Sequence, residues 1–228
     1  MFGGIIIIGI VFMVIGMLVS NQLKSRFRKY ASVPIASGLS GAEVAERMLR
    51  DHNIHNVEIV SVPGQLTDHY NPMKRTINLS PEVYEGRSVA AAAVAAHETG
   101  HAVQHATGYA MLQMRSQMVP LVNISSRLMN YIFLFAMFGG VFASMWNQAI
   151  LVIVLAQAVL TLFSLITLPV EFDASNRALA WLDVSRITGQ QEHGMAKNAL
   201  NWAASTYVVS ALSAISYLLV FLASMSRD

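Results

Sequence analysis

The chain has 228 residues, 54% of them hydrophobic and only 12% charged, against roughly a quarter charged in a soluble domain. That composition excludes an ordinary water-soluble domain and points to a lipid bilayer as a partner. The absence of cysteine excludes disulfides, thiolate metal ligands and a cysteine nucleophile, while a net charge of only +2, small for so apolar a chain, argues against nucleic acid.

The first element in chain order is the apolar stretch Phe2 to Ser20, which carries no charge and approaches the ~20 residues that cross a hydrocarbon core. It has no basic residues before it and the cluster KSRFRK, Lys24 to Lys29, directly after it, so it reads as an uncleaved anchor rather than a signal peptide. The stretch SGLSGAEVAERMLRDHNI follows, with Val44, Ala45, Met48 and Leu49 at helical spacing. VEIVSV, Val57 to Val62, alternates like a strand; PGQLTDHYNPMK is turn-rich; TINLS, Thr76 to Ser80, reads as a second short strand. A small sheet therefore precedes the segment SVAAAAVAAHETGHAVQHATGY, where strong helix formers occupy almost every position.

Three further uncharged stretches, Met129 to Met145, Ala149 to Leu168 and Tyr207 to Met225, bring the expected membrane helices to four. The fold class expected is a mainly α integral membrane protein with a catalytic domain containing a small β-sheet. Its parts are an anchor over 1–20, a catalytic region over 21–128, a membrane hairpin over 129–168, a helical region over 169–206 and a last membrane helix over 207–228. Because Lys and Arg concentrate in the two intervening regions, and Arg227 alone lies elsewhere, the positive-inside rule predicts that 21–128 and 169–206 face the cytoplasm. The turn at Trp146 to Gln148 and the C-terminus then lie outside, in a multi-pass protein of the cytoplasmic membrane.

Within the Ala-rich helix, His97, Glu98 and His101 form H-E-x-x-H. Four residues make about one helical turn, so both imidazoles leave one face and can share a metal. With three protein ligands, zinc keeps a position for water, and a carboxylate beside the metal but not on it transfers protons. His97 and His101 are thus metal ligands and Glu98 the general base. Gly100, unfavourable by about 1 kcal/mol in a helix interior, implies that another element packs closely there. For a third ligand the most informative stretch is LPVEFDASNRALAWLDV, where Glu171 and Asp173 are both available.

LTDHYNPMKRTINLSPEVYEGRSVAAAAVAAHETGHAVQH together with PVEFDASNRAL resembles the neutral zinc metallopeptidases of bacteria, the YugP-like membrane proteases, over most of the chain. The resemblance implies a zinc-dependent endopeptidase embedded in the cytoplasmic membrane. More distantly, H-E-x-x-H with a later E-x-x-A-D is similar to the membrane gluzincins of the prenyl-protein (CAAX) protease and heat-shock membrane protease type, whose first Glu is the third zinc ligand. Carried over by position, that residue is Glu171, with Ala174 in the Ala slot. Ser175 stands where those relatives have Asp, so their carboxylate hydrogen bond to a ligand histidine has no carboxylate here.

Helix geometry separates the two acidic candidates. Two residues apart on a helix is about 200°, so only one of Glu171 and Asp173 faces the metal. Glu171 shares its side with the small Ala174 and Ser175, whereas Asp173 has Arg177 as an i,i+4 partner. His105 lies about 12 Å along the axis from His97 and reads as a neighbour rather than a ligand. His69 and Tyr70, in the turn before TINLS, and Arg177 are candidates for polarising a carbonyl or stabilising an oxyanion. TINLS itself is a candidate to pair with a substrate backbone as an extra strand.

The function expected is a zinc endopeptidase working at the cytoplasmic membrane surface on a polypeptide, membrane-associated or unfolded. One alternative is an intramembrane protease, although the apolar run between Arg87 and His97 spans only about eight residues, some 12 Å of helix. The other is a non-catalytic scaffold with a structural zinc, which would be closed by a fourth ligand such as His105 or Asp173.

Overall fold

The computed structural model describes residues 2–138 and 146–225. Their elements are helices α1 (Phe2–Ala31) and α2 (Gly41–Asp51), strands β1 (Glu58–Ser61), β2 (His69–Asn71) and β3 (Thr76–Leu79), and helices α3 (Pro81–Tyr84), α4 (Val89–Ala106), α5 (Ala110–Phe138), α6 (Trp146–Val184) and α7 (Gln190–Met225). The molecule is mainly helical. Among the described residues, four helices hold segments long and apolar enough to cross a membrane: Gly3–Ala31, Ala110–Phe135, Ala149–Val184 and Gln190–Met225.

The second of these begins well before the expected Met129. Arg115 and Arg127 interrupt the apolar run in the sequence, yet α5 starts at Ala110 and continues through Pro120. The turn expected at Trp146 to Gln148 falls inside the bounds of α6. The end of the expected stretch Met129 to Met145, and Arg227, lie outside the described residues.

The chain divides into two compact units, one of Met1–Leu18, Met114–Leu168 and Thr206–Asp228, the other of Val19–Gln113 and Pro169–Ser205. In the first, Ile150, Ile153, Val154 and Phe221 form a core with Ile5, Met129 and Ile132 packed against it. Gln157 Nε2 and Thr161 Oγ1 both donate to the Ala214 carbonyl at 3.1 Å, satisfying polar groups where water is scarce.

The second unit carries the histidines. Its α2 starts at a capping box in which Ser40 Oγ accepts from the Glu43 amide and Glu43 Oε2 accepts from the Ser40 amide. The apolar face of α2, including the fully buried Val44, Ala45 and Met48, packs into one core with Ala90, Ala93 and Ala96 of α4, Ile77 and Leu79 of β3, and Leu182 of α6. Alanine on the α4 face lets its neighbours approach closely. The N-terminus of α4 is fixed by Ser88, which caps the Ala91 amide at 3.2 Å, and by the Val89 amide donating to Val33.

The sheet has three strands in the order β1-β3-β2, with β1 parallel and β2 antiparallel to β3. Tyr70 pairs with Ile77 and His69 with Asn78. β2 lies inside the stretch that reads as turn-rich, so the sheet gains a strand over the two expected. β3, the TINLS segment, has partners along both edges and so cannot add a further strand. The free edges belong to β1 and β2.

Candidate metal centre

α4 puts His97 and His101 one turn apart, with ring centroids at 4.8 Å and planes at 80°. Opposite them stands Glu171 of α6, whose Oε2 lies 3.3 Å from His97 Nε2 and 3.6 Å from His101 Nε2. The close approach of the two helices is made at Gly100. A Cβ there would lie 2.6 Å from the Ala174 carbonyl oxygen, so backbone meets backbone three residues after Glu171. All three ligand-type side chains are buried, Glu171 to 2% exposure.

The donor set fits zinc. Ligand atoms about 2.05 Å from a tetrahedral ion lie about 3.3 Å from one another, close to the separations Glu171 makes with both imidazoles. Among the described residues the three ligand atoms lie within 4.8 Å of one another. The electrostatics agree. Burial pulls the pKa of His101 down, but its hydrogen bond to Glu171 and the charges of Glu98 and Glu171 outweigh this and raise it. Carboxylates that favour positive charge on a buried imidazole also favour a bound cation.

Each histidine is held by its other nitrogen. His101 Nδ1 donates to Gln104 Oε1 at 3.0 Å, and the Gln104 amide in turn donates to the Val170 carbonyl and to Asp173 Oδ2, both at 2.8 Å. Those two acceptors fix which end of the amide faces His101, so that in the neutral imidazole Nδ1 carries the proton and Nε2 is free to offer its lone pair to a metal. His97 Nδ1 lies 3.1 Å from Ser175 Oγ. The Ser175 hydroxyl of α6 thus hydrogen-bonds one of the two imidazoles.

Glu98 stands beside this group and not within it. Its Oε2 accepts from the backbone amide of Tyr70 at 3.0 Å, so β2 steadies the carboxylate next to the metal position. The Tyr70 hydroxyl is bonded to His105 Nδ1 at 2.7 Å, which makes a Tyr–His pair rather than a free donor toward a carbonyl. His69 points the other way from β2, is exposed, and bonds the Thr67 carbonyl. Asp173 is paired with Arg177 at 2.6 Å, and the guanidinium also lies over the Tyr109 ring at 5.8 Å. Asp173 and His105 are outside the metal-ligand group.

Gln104 is the residue that reading for titratable groups overlooks. The available signal was an amide three residues after His101 on an otherwise small and apolar helix face, where a buried amide must find partners.

The chain matches, over residues 5–226, the family described as "Putative neutral zinc metallopeptidase". It is also similar to the protein named "Putative membrane protease YugP" of Bacillus subtilis (strain 168), with 43% identity over 202 residues, 88% of this chain and 87% of that one. No solved structure matches it. With the profile spanning nearly the whole chain and the His97, His101 and Glu171 side chains converging on one point, the protein belongs to the neutral zinc metallopeptidase family.

Proposed function

We propose that the protein is a membrane-bound zinc endopeptidase of the gluzincin type, hydrolysing peptide bonds at the cytoplasmic surface of the membrane. The observation that carries this reading is the position of Glu171, within 3.3 Å and 3.6 Å of both imidazoles while Glu98 lies beside them on a separate hydrogen bond. His97, His101 and Glu171 would hold the ion. Zinc, when bound, supplies Lewis acidity toward a peptide carbonyl and makes water more acidic. Glu98 accepts the proton of the attacking water and passes it to the departing amine, while the Tyr70 amide holds that carboxylate in place. Gln104 and Ser175 keep the two imidazoles in the tautomer that offers Nε2.

A closed structural site needs a fourth protein ligand, and the two nearby candidates are engaged elsewhere, His105 with Tyr70 and Asp173 with Gln104 and Arg177. Support for the cytoplasmic orientation comes from the concentration of Lys and Arg in 21–128 and 169–206. The reading is tested with His97→Ala and His101→Ala, each of which loses both bound zinc and cleavage of an unstructured protein. Full activity in either variant rejects it. Reporters fused at Gln190 read as cytoplasmic; an external signal reverses the orientation.

A further inference from the structure

One turn beyond His101, α4 borders a second cavity of about 370 Å³, lined by Asn53, Asn56, Tyr70, Arg75, Ala102 and His105 among others. Its polar lining consists of groups that can donate: a guanidinium, an imidazole, two amides and a phenol. No Asp or Glu is among its lining residues. The Tyr70 hydroxyl lies 2.7 Å from His105 Nδ1; burial pushes that hydroxyl up in pKa and the charge of Arg75 offsets this only in part, so the phenol keeps its proton. With the phenol donating in this pair, His105 carries its proton on Nε2 and can offer it to a ligand.

Arg75 has a further peculiarity. It ends the β2–β3 turn, in which Asn71 Oδ1 accepts from the amides of Met73 and Lys74, and it does so in the left-handed region at φ 53°. Glycine or asparagine suits that backbone better, and Asn53 across the cavity, at φ 56°, is such a residue. The turn itself gains nothing from an arginine, whereas the cavity gains its one fixed positive charge.

We propose that this cavity is a carboxylate-binding subsite, in which Arg75 and His105 hold an anionic group of the substrate close to the bond being cut; the proposal rests on the peptidase reading. Placement follows from two connections. Tyr70 lends its main-chain amide to Glu98 and its hydroxyl to the cavity. His105 is one turn past His101, about 6 Å of axial rise, and an extended peptide advances about 3.3 Å per residue, so the carboxylate belongs one or two residues from the scissile bond.

The experiment uses the full chain in detergent and matched peptides carrying Glu or Gln within two residues of the cleaved bond, each with an amidated or a free C-terminus. Wild type is expected to cleave the anionic member with kcat/KM a few-fold higher, because Arg75 is exposed and its pair with a carboxylate is screened by solvent. A preference for Glu over Gln that survives amidation assigns the carboxylate to the side chain; a preference for the free over the amidated terminus, alike for Glu and Gln, assigns it to the chain end. Arg75→Gly, which suits the turn and holds or raises the melting temperature, equalises the Glu and Gln peptides, and Arg75→Glu reverses the preference toward the Gln peptide. Fluorescence anisotropy with Glu98→Gln reads the same preference as binding, without catalysis, and the preference weakens with salt. Equal binding of the Glu and Gln peptides that is also indifferent to amidation, or a preference unchanged in Arg75→Gly, overturns the subsite. A binding preference in a protein that cleaves nothing keeps the subsite and rejects the peptidase reading instead.

Discussion

Gly100 of α4 and Ala174 of α6 meet without a side chain between them, a Cβ on the glycine falling 2.6 Å from the alanine carbonyl oxygen. This contact sets how close Glu171 comes to His97 and His101. Gly100→Ala therefore improves the helix by about 1 kcal/mol in propensity yet pushes the third ligand away from the pair. The expected result is a folded protein with strongly weakened zinc binding, measured by metal analysis after dialysis. Wild-type zinc content in this variant would show that the two helices separate without cost to the site.

Gln104 orients His101 and ties it to α6 through the Val170 carbonyl and Asp173. Gln104→Leu keeps the volume and removes three hydrogen bonds, and the loss of such an outer partner costs about 10–100-fold in metal affinity or activity. Competition with a calibrated chelator measures it. An affinity within a factor of two of wild type would assign Gln104 a packing role only.

Helix geometry argues that Glu171 and Asp173 cannot both face the metal, and the structure has Glu171 against the two imidazoles and Asp173 against Gln104 and Arg177. Glu171→Gln is expected to lose most bound zinc and all proteolysis. Asp173→Asn keeps zinc and loses activity in part. The reverse pattern in metal content transfers the ligand role to Asp173.

Zinc binding should weaken in acid, because the metal competes with protons for His97 and His101. In the metal-free pocket, burial alone lowers the pKa of His101, but the Glu171 hydrogen bond and the two carboxylate charges raise it overall. A raised pKa means that proton competition begins at a higher pH than the ordinary imidazole value of about 6.5. Apparent affinity is thus level in alkaline solution and falls as pH drops through that point, by about tenfold per unit for each proton displaced. A flat zinc affinity from about pH 8 to pH 5 contradicts a histidine-ligated site.

Much of this arrangement was legible in the chain because its signals are local. The spacing of Val44, Ala45, Met48 and Leu49 marks the buried face of α2, the alanine run marks α4, and the small Gly100 announces a neighbour that proves to be Ala174. What escaped depends on partners distant in sequence. β2 is three residues long and surrounded by turn formers, and its extended form comes from pairing with β3 rather than from its own pattern. For the same reason TINLS gave no hint that both its edges are filled. α5 runs through Pro120 and past two arginines that break the apolar run, so its start could not be taken from hydropathy. The 3.1 Å contact of Ser175 with His97 joins residues far apart in sequence, and nothing local to either marks it.

The central claim, that zinc held by this chain serves peptide hydrolysis with Glu98 as the proton carrier, is tested most directly by measuring zinc content and cleavage of an unstructured protein for wild type and Glu98→Gln side by side. The amide occupies the same space and can still meet solvent, but it cannot accept a proton. The account predicts one zinc per chain in both proteins and cleavage in wild type alone. Loss of zinc from Glu98→Gln would make Glu98 part of the metal site, and cleavage at the wild-type rate by the variant would contradict the mechanism outright.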